Sequence, residues 1–200
     1  MDDKLSIDPL RSAVLSMDYQ SAIVSAYAGS QPDELLLPAA RVLTAARSRQ
    51  MQVIHIQVGF RAGFPEISPR NLMLNAIKNS PEHQKMFQGP AGEIHPAVKP
   101  QEDDIVITKH RVSAFVGTDL EMILRAKDID TLILFGIATS GVVLSTLLHA
   151  ADADYRLVVL KDCCADLDQE LHACLMDKFF ARRAAVITAG EFADALGPSM

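Results

Sequence analysis

Ionisable side chains stand at the ends of short apolar runs that are typical of buried β-strands. Asp18 ends an early run, AVLSMD, and Lys109 ends a later one, DIVITK. A third run, TLILFG, leads into IATSG, where backbone N–H groups near Ser140–Val142 open the next helix. Ligands of open parallel sheets bind beyond the carboxyl ends of the strands, so we expect these groups to meet there. A carboxylate, an ammonium and a helix amino end in one crevice could transfer protons and stabilise an oxyanion.

The same positions also have ordinary structural explanations. An Asp at the end of a strand often caps the helix that follows, and a Lys there often extends into solvent. Polar strand ends are common in α/β proteins whatever their activity. Position alone therefore leaves both a catalytic and a structural role open for Asp18 and Lys109.

The elements that must position these residues follow from an alternation of β-branched apolar runs with amphipathic stretches. The predicted strands are Ala13–Asp18, Gln52–Val58, Asp104–Lys109, Thr131–Gly136, Arg156–Lys161 and Ala184–Thr188. The predicted helices are Asp33–Arg49, Asp119–Lys127, Gly141–Ala153 and Gln169–Arg182. This alternation predicts an α/β fold, with a doubly wound, Rossmann-like sheet of about six parallel strands and helices on both faces.

The segment from Gly59 to Pro100 breaks this rhythm. Five prolines lie between its two ends, and only Leu72–Lys78 has a helical pattern. Compact domains rarely carry a connection this long unless it shapes a site. We therefore expect residues 59–100 to pass over the carboxyl edge of the sheet and to form one wall of a pocket.

Length and composition limit the classes of protein to consider. The 200 residues fit one domain, 1–200, and the net charge of −6 argues against nucleic acid as a partner. No apolar run is long enough for a membrane span, and the start, MDDKLSID, is too charged for a secretory signal. Three cysteines, two of them adjacent, do not form a disulfide framework, so a cytoplasmic location is expected.

The order and spacing of several short motifs resemble those of the isochorismatase-like hydrolases, also called the cysteine hydrolase superfamily. The resemblance covers nearly the whole chain. The matching segments are MDYQ at 17–20, GEIHP at 92–96, VITKHRVSAF at 106–115, TDL at 118–120, FGIATS at 135–140, HAADADY at 149–155 and KDCCAD at 161–166. Each segment alone is a weak signal, and their succession is specific.

The resemblance implies roles for three positions. In that family an Asp after the first strand, a Lys after the third and a Cys at the helix start after the fourth form the catalytic triad, with the thiolate as nucleophile. The matching residues here are Asp18 and Lys109, but the position of the cysteine holds Val142. Valine cannot form an acyl-thioester, so the resemblance implies chemistry in which Asp18 is the general acid or base and Lys109 its charge partner.

The resemblance also implies further parts of the site. A cis peptide between Ile137 and Ala138 would turn the Ala138 N–H inward, where it would form an oxyanion hole with the N–H of Val142. Gln20, in the MDYQ motif, is expected to line the substrate pocket. The family's aromatic pocket wall corresponds to Phe115, for which plain packing is an equal alternative.

Several other side chains have competing interpretations. Arg61 could bind a substrate carboxylate, or form a salt bridge that fixes the loop, for which Glu66 is the candidate partner. Cys163 or Cys164 could replace the missing nucleophile, although buried structural thiols are more common. His55 is interpreted as a core histidine. His110, which follows Lys109, is expected to point to the other side of its strand.

The sequence also limits the cofactors. The metal-binding Asp and His residues of nicotinamidases have no counterpart in the QVGFR segment after the second strand, so no metal is expected. No glycine pattern for a nucleotide cofactor is present.

Three functions remain open. The first is cofactor-free hydrolysis of a small carbonyl, amide or enol-ether compound. The second is a non-catalytic protein that binds a small molecule. The third is an interaction module within a homo-oligomer, since the resemblance implies a homodimer or a homotetramer.

Overall fold

A computed structural model describes residues 6–197 of the chain. Six strands form one sheet, and they are β1 (Ser12–Met17), β2 (Gln52–Val58), β3 (Ile105–Lys109), β4 (Thr131–Ile137), β5 (Arg156–Ala165) and β6 (Ala185–Ile187). Their order is β3-β2-β1-β4-β5-β6, and every adjacent pair is parallel. The predicted doubly wound α/β architecture is therefore confirmed.

Helices cover the sheet. The helices are α1 (Ser21–Tyr27), α2 (Pro32–Ser48), α3 (Leu72–Lys78), α4 (Pro81–Lys85), α5 (Gly89–Gly92), α6 (Leu120–Ala126), α7 (Leu144–Asp152), α8 (Gln169–Cys174) and α9 (Ala189–Ala195). All residues of the central strands β1 and β4 are buried, as expected for a parallel sheet packed on both faces. Within residues 6–197, no helix is long and apolar enough to cross a membrane.

The contact between β1 and β4 is unusually close at Gly136. A Cβ atom at this position would lie 2.6 Å from the carbonyl oxygen of Met17. A glycine is therefore needed where the two central strands run side by side. These strands flank the point at which the strand order reverses, which is the usual ligand crevice of a doubly wound sheet.

Four helical regions differ from the predicted elements. The helices α1 and α9, each of seven residues, were not predicted. The predicted helix Gly141–Ala153 instead begins as a π-helical turn, Thr139–Val143, before α7. The predicted helix Gln169–Arg182 divides into α8, a π-helical turn (Leu175–Phe179) and a 3₁₀ turn (Phe180–Arg182).

The strand β5 is longer than predicted. It runs on past Lys161 to Ala165, and its register with β4 shifts between Leu134 and Gly136. The strand was predicted to end at Lys161 because the apolar run is interrupted there by the polar residues Lys161 and Asp162. As a result, both adjacent cysteines lie within the sheet rather than after it.

The segment 59–100 contains more helix than predicted, because α4, α5 and a 3₁₀ turn (Pro96–Val98) accompany α3. Its end is fixed to the loop after β1 by backbone hydrogen bonds. The N–H of His95 donates to the carbonyl of Tyr19 at 2.8 Å, and the N–H of Ser21 donates to the carbonyl of Glu93 at 2.9 Å. These contacts hold the segment over the carboxyl edge of the sheet.

Candidate active site

Asp18 lies directly after β1, at the point where the strand order reverses. Its backbone is in the left-handed region, with φ of +60°, a conformation that Asp tolerates better than most residues. Its N–H donates to the carbonyl of Ile56 at 2.8 Å, which still ties the residue to β2. This conformation takes the chain out of the sheet and leaves the Asp18 side chain buried.

Lys109 reaches the same point from the end of β3. Its ammonium Nζ lies 2.9 Å from Oδ2 of Asp18, and the lysine side chain is only 2% exposed. The ammonium also donates to the carbonyl of Arg111 at 3.1 Å. The strand ends therefore bring Asp18 and Lys109 into a buried, hydrogen-bonded ion pair.

The two oxygens of the Asp18 carboxylate have different surroundings. Oδ2 is held by Lys109, whereas Oδ1 is buried and has no hydrogen-bond partner among the described residues. Burial raises the pKa of Asp18, and the nearby Lys109 ammonium opposes this shift without cancelling it. Asp18 is thus a carboxyl group that holds a proton more readily than an exposed one.

The turn after β4 forms the third part of the site. The peptide bond between Ile137 and Ala138 is cis. Asp166 fixes this turn by a hydrogen bond, in which its Oδ2 accepts the N–H of Ser140 at 2.7 Å. Burial opposes ionisation of Asp166, but hydrogen bonds from Ser140 and from backbone N–H groups outweigh it and lower its pKa. An ionised Asp166 therefore fixes the π-helical turn that carries Val142.

A second contact on this turn involves its first residue. The hydroxyl of Thr139 lies 3.2 Å from the carbonyl of Ala165, which can only accept, and 2.8 Å from Nδ1 of His172. Burial lowers the pKa of His172, although the charges of Asp166 and Asp177 act in the opposite direction. The end of β5 and the helix α8 thus support the turn that faces Asp18.

These parts open onto one cavity of about 510 Å³, a size suited to a small organic molecule. Most of the wall is apolar and comes from Ile23, Ala26, Tyr27, Val58, Phe60, Met73, Leu74, Ala76, Ile77, Met86, Phe87, Val112, Ile137, Ala138, Val142 and Leu167. The other lining residues are Asp18, His83, Lys109, His110, Arg111 and Gly141. The segment 59–100 supplies about a third of this wall.

Gln20 is not part of the cavity wall, contrary to expectation. Its side chain is buried, and Nε2 donates to the carbonyls of Val58 at 2.9 Å and Gly92 at 2.7 Å. Its Oε1 accepts the N–H of Val58 at 2.7 Å. All of these bonds are internal, so Gln20 fixes both ends of the pocket-forming segment instead of contacting a ligand.

Arg61 and Phe115 also lie outside the cavity wall. Arg61 forms a salt bridge with Glu66 at 2.8 Å and its side chain is 68% exposed, which matches the structural alternative for this residue. Phe115 stacks on His149, with ring centroids 4.5 Å apart and nearly parallel planes. Packing against α7 therefore accounts for Phe115, and the predicted pocket roles of both residues are corrected.

The adjacent cysteines do not line the cavity. Cys163 and Cys164 are buried in β5. Burial raises the pKa of both thiols, that of Cys164 to about 12. Buried, protonated thiols are poor nucleophiles, so this geometry does not favour a relocated cysteine nucleophile. Cys174 is exposed, on α8.

The cavity includes residues that the sequence did not single out. His110 was expected on the opposite side of β3, but the strand ends at Lys109, so the alternation of sides no longer applies and the ring lines the cavity. Arg111 follows it, with its guanidinium donating to the carbonyls of His110 and Glu66. Tyr27 comes from the unpredicted helix α1. The sequence could have indicated His110 and Arg111 as cavity residues only by their position directly after Lys109.

No group of three or more His, Cys, Asp or Glu side chains within residues 6–197 is arranged to hold a metal ion. His55, in the middle of β2, lies 3.2 Å from Asp104 and is fully buried. It belongs to the core, and it does not line the cavity.

The sequence profile of the isochorismatase domain matches residues 12–191. The chain belongs to the isochorismatase family of hydrolases. It is 30% identical over 194 residues to the isochorismatase family protein YecD of Escherichia coli O157:H7, covering 96% of this chain and 100% of that one. It is 33% identical over 183 residues to the ureidoacrylate amidohydrolase RutB of Variovorax paradoxus, covering 82% and 73% of the two chains.

Solved structures agree with this assignment. An isochorismatase family protein from Burkholderia thailandensis superposes with a TM-score of 0.79 at 25% identity, over 96% of this chain and 98% of the other. The relatives of this isochorismatase-family chain thus include amidohydrolases, and the shared fold extends over nearly its whole length.

Proposed function

We propose that this isochorismatase-family chain hydrolyses a small, largely apolar compound at an amide, another carbonyl or an enol ether, without a cofactor. The main support for this proposal is that the two carboxylate oxygens of Asp18 have different surroundings. One carboxylate oxygen is fixed by Lys109 at 2.9 Å, and the other is buried without a partner beside a cavity of about 510 Å³. An unpartnered buried oxygen is costly, and a substrate group or a water molecule in the cavity would satisfy it.

Asp18 acts as the general acid in this proposal. Its raised pKa means that this carboxyl group takes up a proton more readily than an exposed aspartate, and the Lys109 ammonium disfavours a proton on the adjacent Oδ2. When the group is protonated, the proton is therefore carried by Oδ1, which can pass it to the leaving nitrogen or oxygen of a substrate, or to the carbon of an enol ether. A positioned acid of this kind typically accelerates a reaction by about 10²–10⁴-fold.

No cysteine nucleophile takes part. Val142, in the turn after β4, holds the position that the family motif assigns to the cysteine, and its side chain has neither a proton to give nor a lone pair. The nucleophile is then a water molecule. The backbone N–H groups of Ala138 and Val142 are proposed to bind the oxyanion that forms when water attacks a carbonyl.

The apolar cavity wall defines the class of substrate. Aromatic and methionine side chains such as Phe60, Phe87 and Met86 favour a compact, partly apolar body around one hydrolysable group. The relative RutB is by name a ureidoacrylate amidohydrolase, which makes an amide the first class to test. We further propose a homo-oligomer, as the sequence resemblance implies.

The test is turnover of a panel of activated amides, esters and enol ethers by the natural protein and by Asp18→Asn. We expect turnover of at least one class, reduced by about 100-fold or more in the variant, since a positioned acid is lost. Isothermal titration with the same compounds measures binding separately. Binding without turnover across the whole panel would reject hydrolysis and support the alternative, a small-molecule-binding protein whose family nucleophile is lost.

A further inference from the structure

The cavity contains a second group suited to proton transfer. His110 lines it together with Asp18 and is only half-buried, so its ring is accessible from the cavity. Hydrolysis by water without a thiol nucleophile requires a base to remove the proton of the attacking water. Asp18 cannot be that base in the same step in which it donates a proton.

The hydrogen bonds of His110 fix which nitrogen is free. Nδ1 lies 2.6 Å from the carbonyl oxygen of Gly59, and a carbonyl oxygen can only accept, so Nδ1 carries a proton. In the neutral ring the lone pair therefore belongs to Nε2. Nε2 has no hydrogen-bond partner among residues 6–197, which leaves it available to a group in the cavity.

The partner carbonyl is itself held in place. The N–H of Gly59 donates to the carbonyl of Lys109 at 3.2 Å, and a Cβ at Gly59 would lie 2.7 Å from the side chain of Thr108. The ring of Phe60 packs beside the imidazole, with centroids 6.5 Å apart. A carbonyl that orients the imidazole through Nδ1 and exposes Nε2 is the arrangement expected of a histidine base.

We propose that His110 is a catalytic residue, the general base that activates the water nucleophile opposite the general acid Asp18. This inference rests on the proposed hydrolase function and assigns its second proton-transfer group. Substrates are then compounds that water can attack directly, such as amides and esters with a good leaving group.

The proposed step is balanced for an amide. Nε2 of His110 takes one proton from water, the water oxygen bonds to the carbonyl carbon, and the C=O electron pair moves onto the oxygen. When the tetrahedral intermediate collapses, this pair re-forms the C=O bond, and the C–N bond breaks as Asp18 protonates the leaving nitrogen. The products are a carboxylic acid and an amine. The proton on His110 returns to Asp18 through solvent before the next cycle.

Two substitutions distinguish the proposed role of His110 as a base from the role of its hydrogen bond with Gly59. His110→Asn retains an amide N–H near the place of Nδ1, which can still donate to Gly59, but it has no basic nitrogen. His110→Gln places its amide near Nε2 and loses the contact with Gly59. His95→Asn makes the same change at a histidine outside the cavity wall, and serves as the matched control.

We expect His110→Asn to lower kcat by about 100-fold or more with KM changed by less than about threefold, because an interaction made in the transition state is lost. His110→Gln is expected to lose as much kcat, since neither variant has a base, and His95→Asn to behave as the natural protein. Free imidazole should restore part of the turnover of His110→Ala. Circular dichroism and thermal unfolding confirm that each variant is folded.

The pH dependence of kcat/KM is a second measurement. It would be the same in the natural protein and in His110→Asn if His110 had only a structural role. The natural protein is expected to show two limbs in kcat/KM, with one limb absent in His110→Asn and the other absent in Asp18→Asn. The other ionisable groups are Lys109, Arg111 and His83, which line the same cavity, and Glu66, which interacts electrostatically with His110 and is paired with Arg61. All of them remain in both variants.

The outcomes distinguish this inference from the proposed function. Turnover that is lost in Asp18→Asn but retained in His110→Asn, with both pH limbs intact, would overturn the role of His110 alone. A different result would show that His110 only fixes the loop. In that case kcat would fall in His110→Gln but not in His110→Asn, and imidazole would not restore the turnover of His110→Ala. No turnover of any compound by the natural protein would contradict both proposals.

Discussion

Oδ2 of Asp18 lies 2.9 Å from the ammonium of Lys109, while Oδ1 of the same carboxylate is buried without a partner within residues 6–197. The arrangement combines a fixed ion pair with a free oxygen. Removing one member of a buried ion pair is more costly than the pair itself is stabilising, because it leaves an uncompensated charge. The pair is therefore more easily understood from the chemistry of Asp18 than from stability.

Lys109→Met tests how this pair controls the acid. The variant keeps the apolar stem but removes the charge that lowers the Asp18 pKa, so that pKa is expected to rise further. We expect kcat to fall by about 100-fold or more, because the Asp18 carboxyl is no longer held in place. The limb of the pH profile that Asp18→Asn removes should also move to higher pH. An unshifted limb in a folded Lys109→Met variant would show that the ammonium does not control Asp18.

The sequence predicted the sheet and the ion pair for a common reason. Both depend on short β-branched runs, whose ends are marked by Asp18 and Lys109. The contacts of Gln20 could not be predicted, because they join the loop after β1 to residues that are 38 and 72 positions away in the chain. His110 was placed on the wrong side because strand alternation was extended one residue beyond the end of β3. The π-helical turn at Thr139–Val143 has no sequence signature of its own.

Thiol reagents should leave the proposed activity unchanged. Cys163 and Cys164 are buried with raised pKa values, whereas Cys174 is exposed. We expect iodoacetamide to modify Cys174 alone, as measured by mass spectrometry, with no loss of turnover. Cys174→Ser is the control and should show no labelling. Loss of turnover on alkylation that Cys163→Ser or Cys164→Ser also produces would place the nucleophile in β5, and our mechanism would be wrong.

Val142→Cys tests the position that the motif resemblance assigns to a cysteine nucleophile. It introduces a thiol in the wall of the cavity that also contains Asp18. We expect the variant to gain hydrolysis of activated esters or amides that is sensitive to alkylation, since thiolates are strong nucleophiles near a base. Val143→Cys is the matched control, because Val143 is a buried neighbour outside the described cavity wall. Equal effects in the two variants would argue against a nucleophile position at 142.

Gln20→Leu should destabilise the pocket-forming segment. The substitution leaves the carbonyls of Val58 and Gly92 and the N–H of Val58 without their side-chain partner. Since each buried unsatisfied group costs about 1–3 kcal/mol, the free energy of unfolding is expected to fall by at least about 2 kcal/mol. Urea titration measures it. Gln57→Leu removes only an exposed side-chain contact with Thr108 and should change stability by less than about 0.5 kcal/mol. Equal losses of unfolding free energy in Gln20→Leu and Gln57→Leu would contradict a specific role of Gln20 in fixing the segment.

His55 is expected to make stability depend on pH. It is fully buried, and its Nε2 lies 3.2 Å from Asp104, which also binds Arg47. Burial lowers the pKa of His55, the charge of Asp104 opposes this shift, and Arg47 adds to it. Because the unfolded chain binds this proton more readily, the contribution of His55 is complete above its unfolded pKa, near 6.5, and is lost as pH falls through the folded value.

The measurement is the free energy of unfolding in urea between pH 5 and 7.5 for the natural protein and for His55→Gln, whose amide can still donate to Asp104. The natural protein should lose more stability on acidification, by at most about 1.4 kcal/mol per pH unit. Asp18, with a raised pKa, contributes in the opposite direction, since its contribution is lost as pH rises through its folded value. That contribution is common to both proteins and cancels in the comparison. His83→Gln changes an exposed histidine and serves as the control. Parallel pH curves for the natural protein and His55→Gln would show that His55 titrates alike in the folded and unfolded chains.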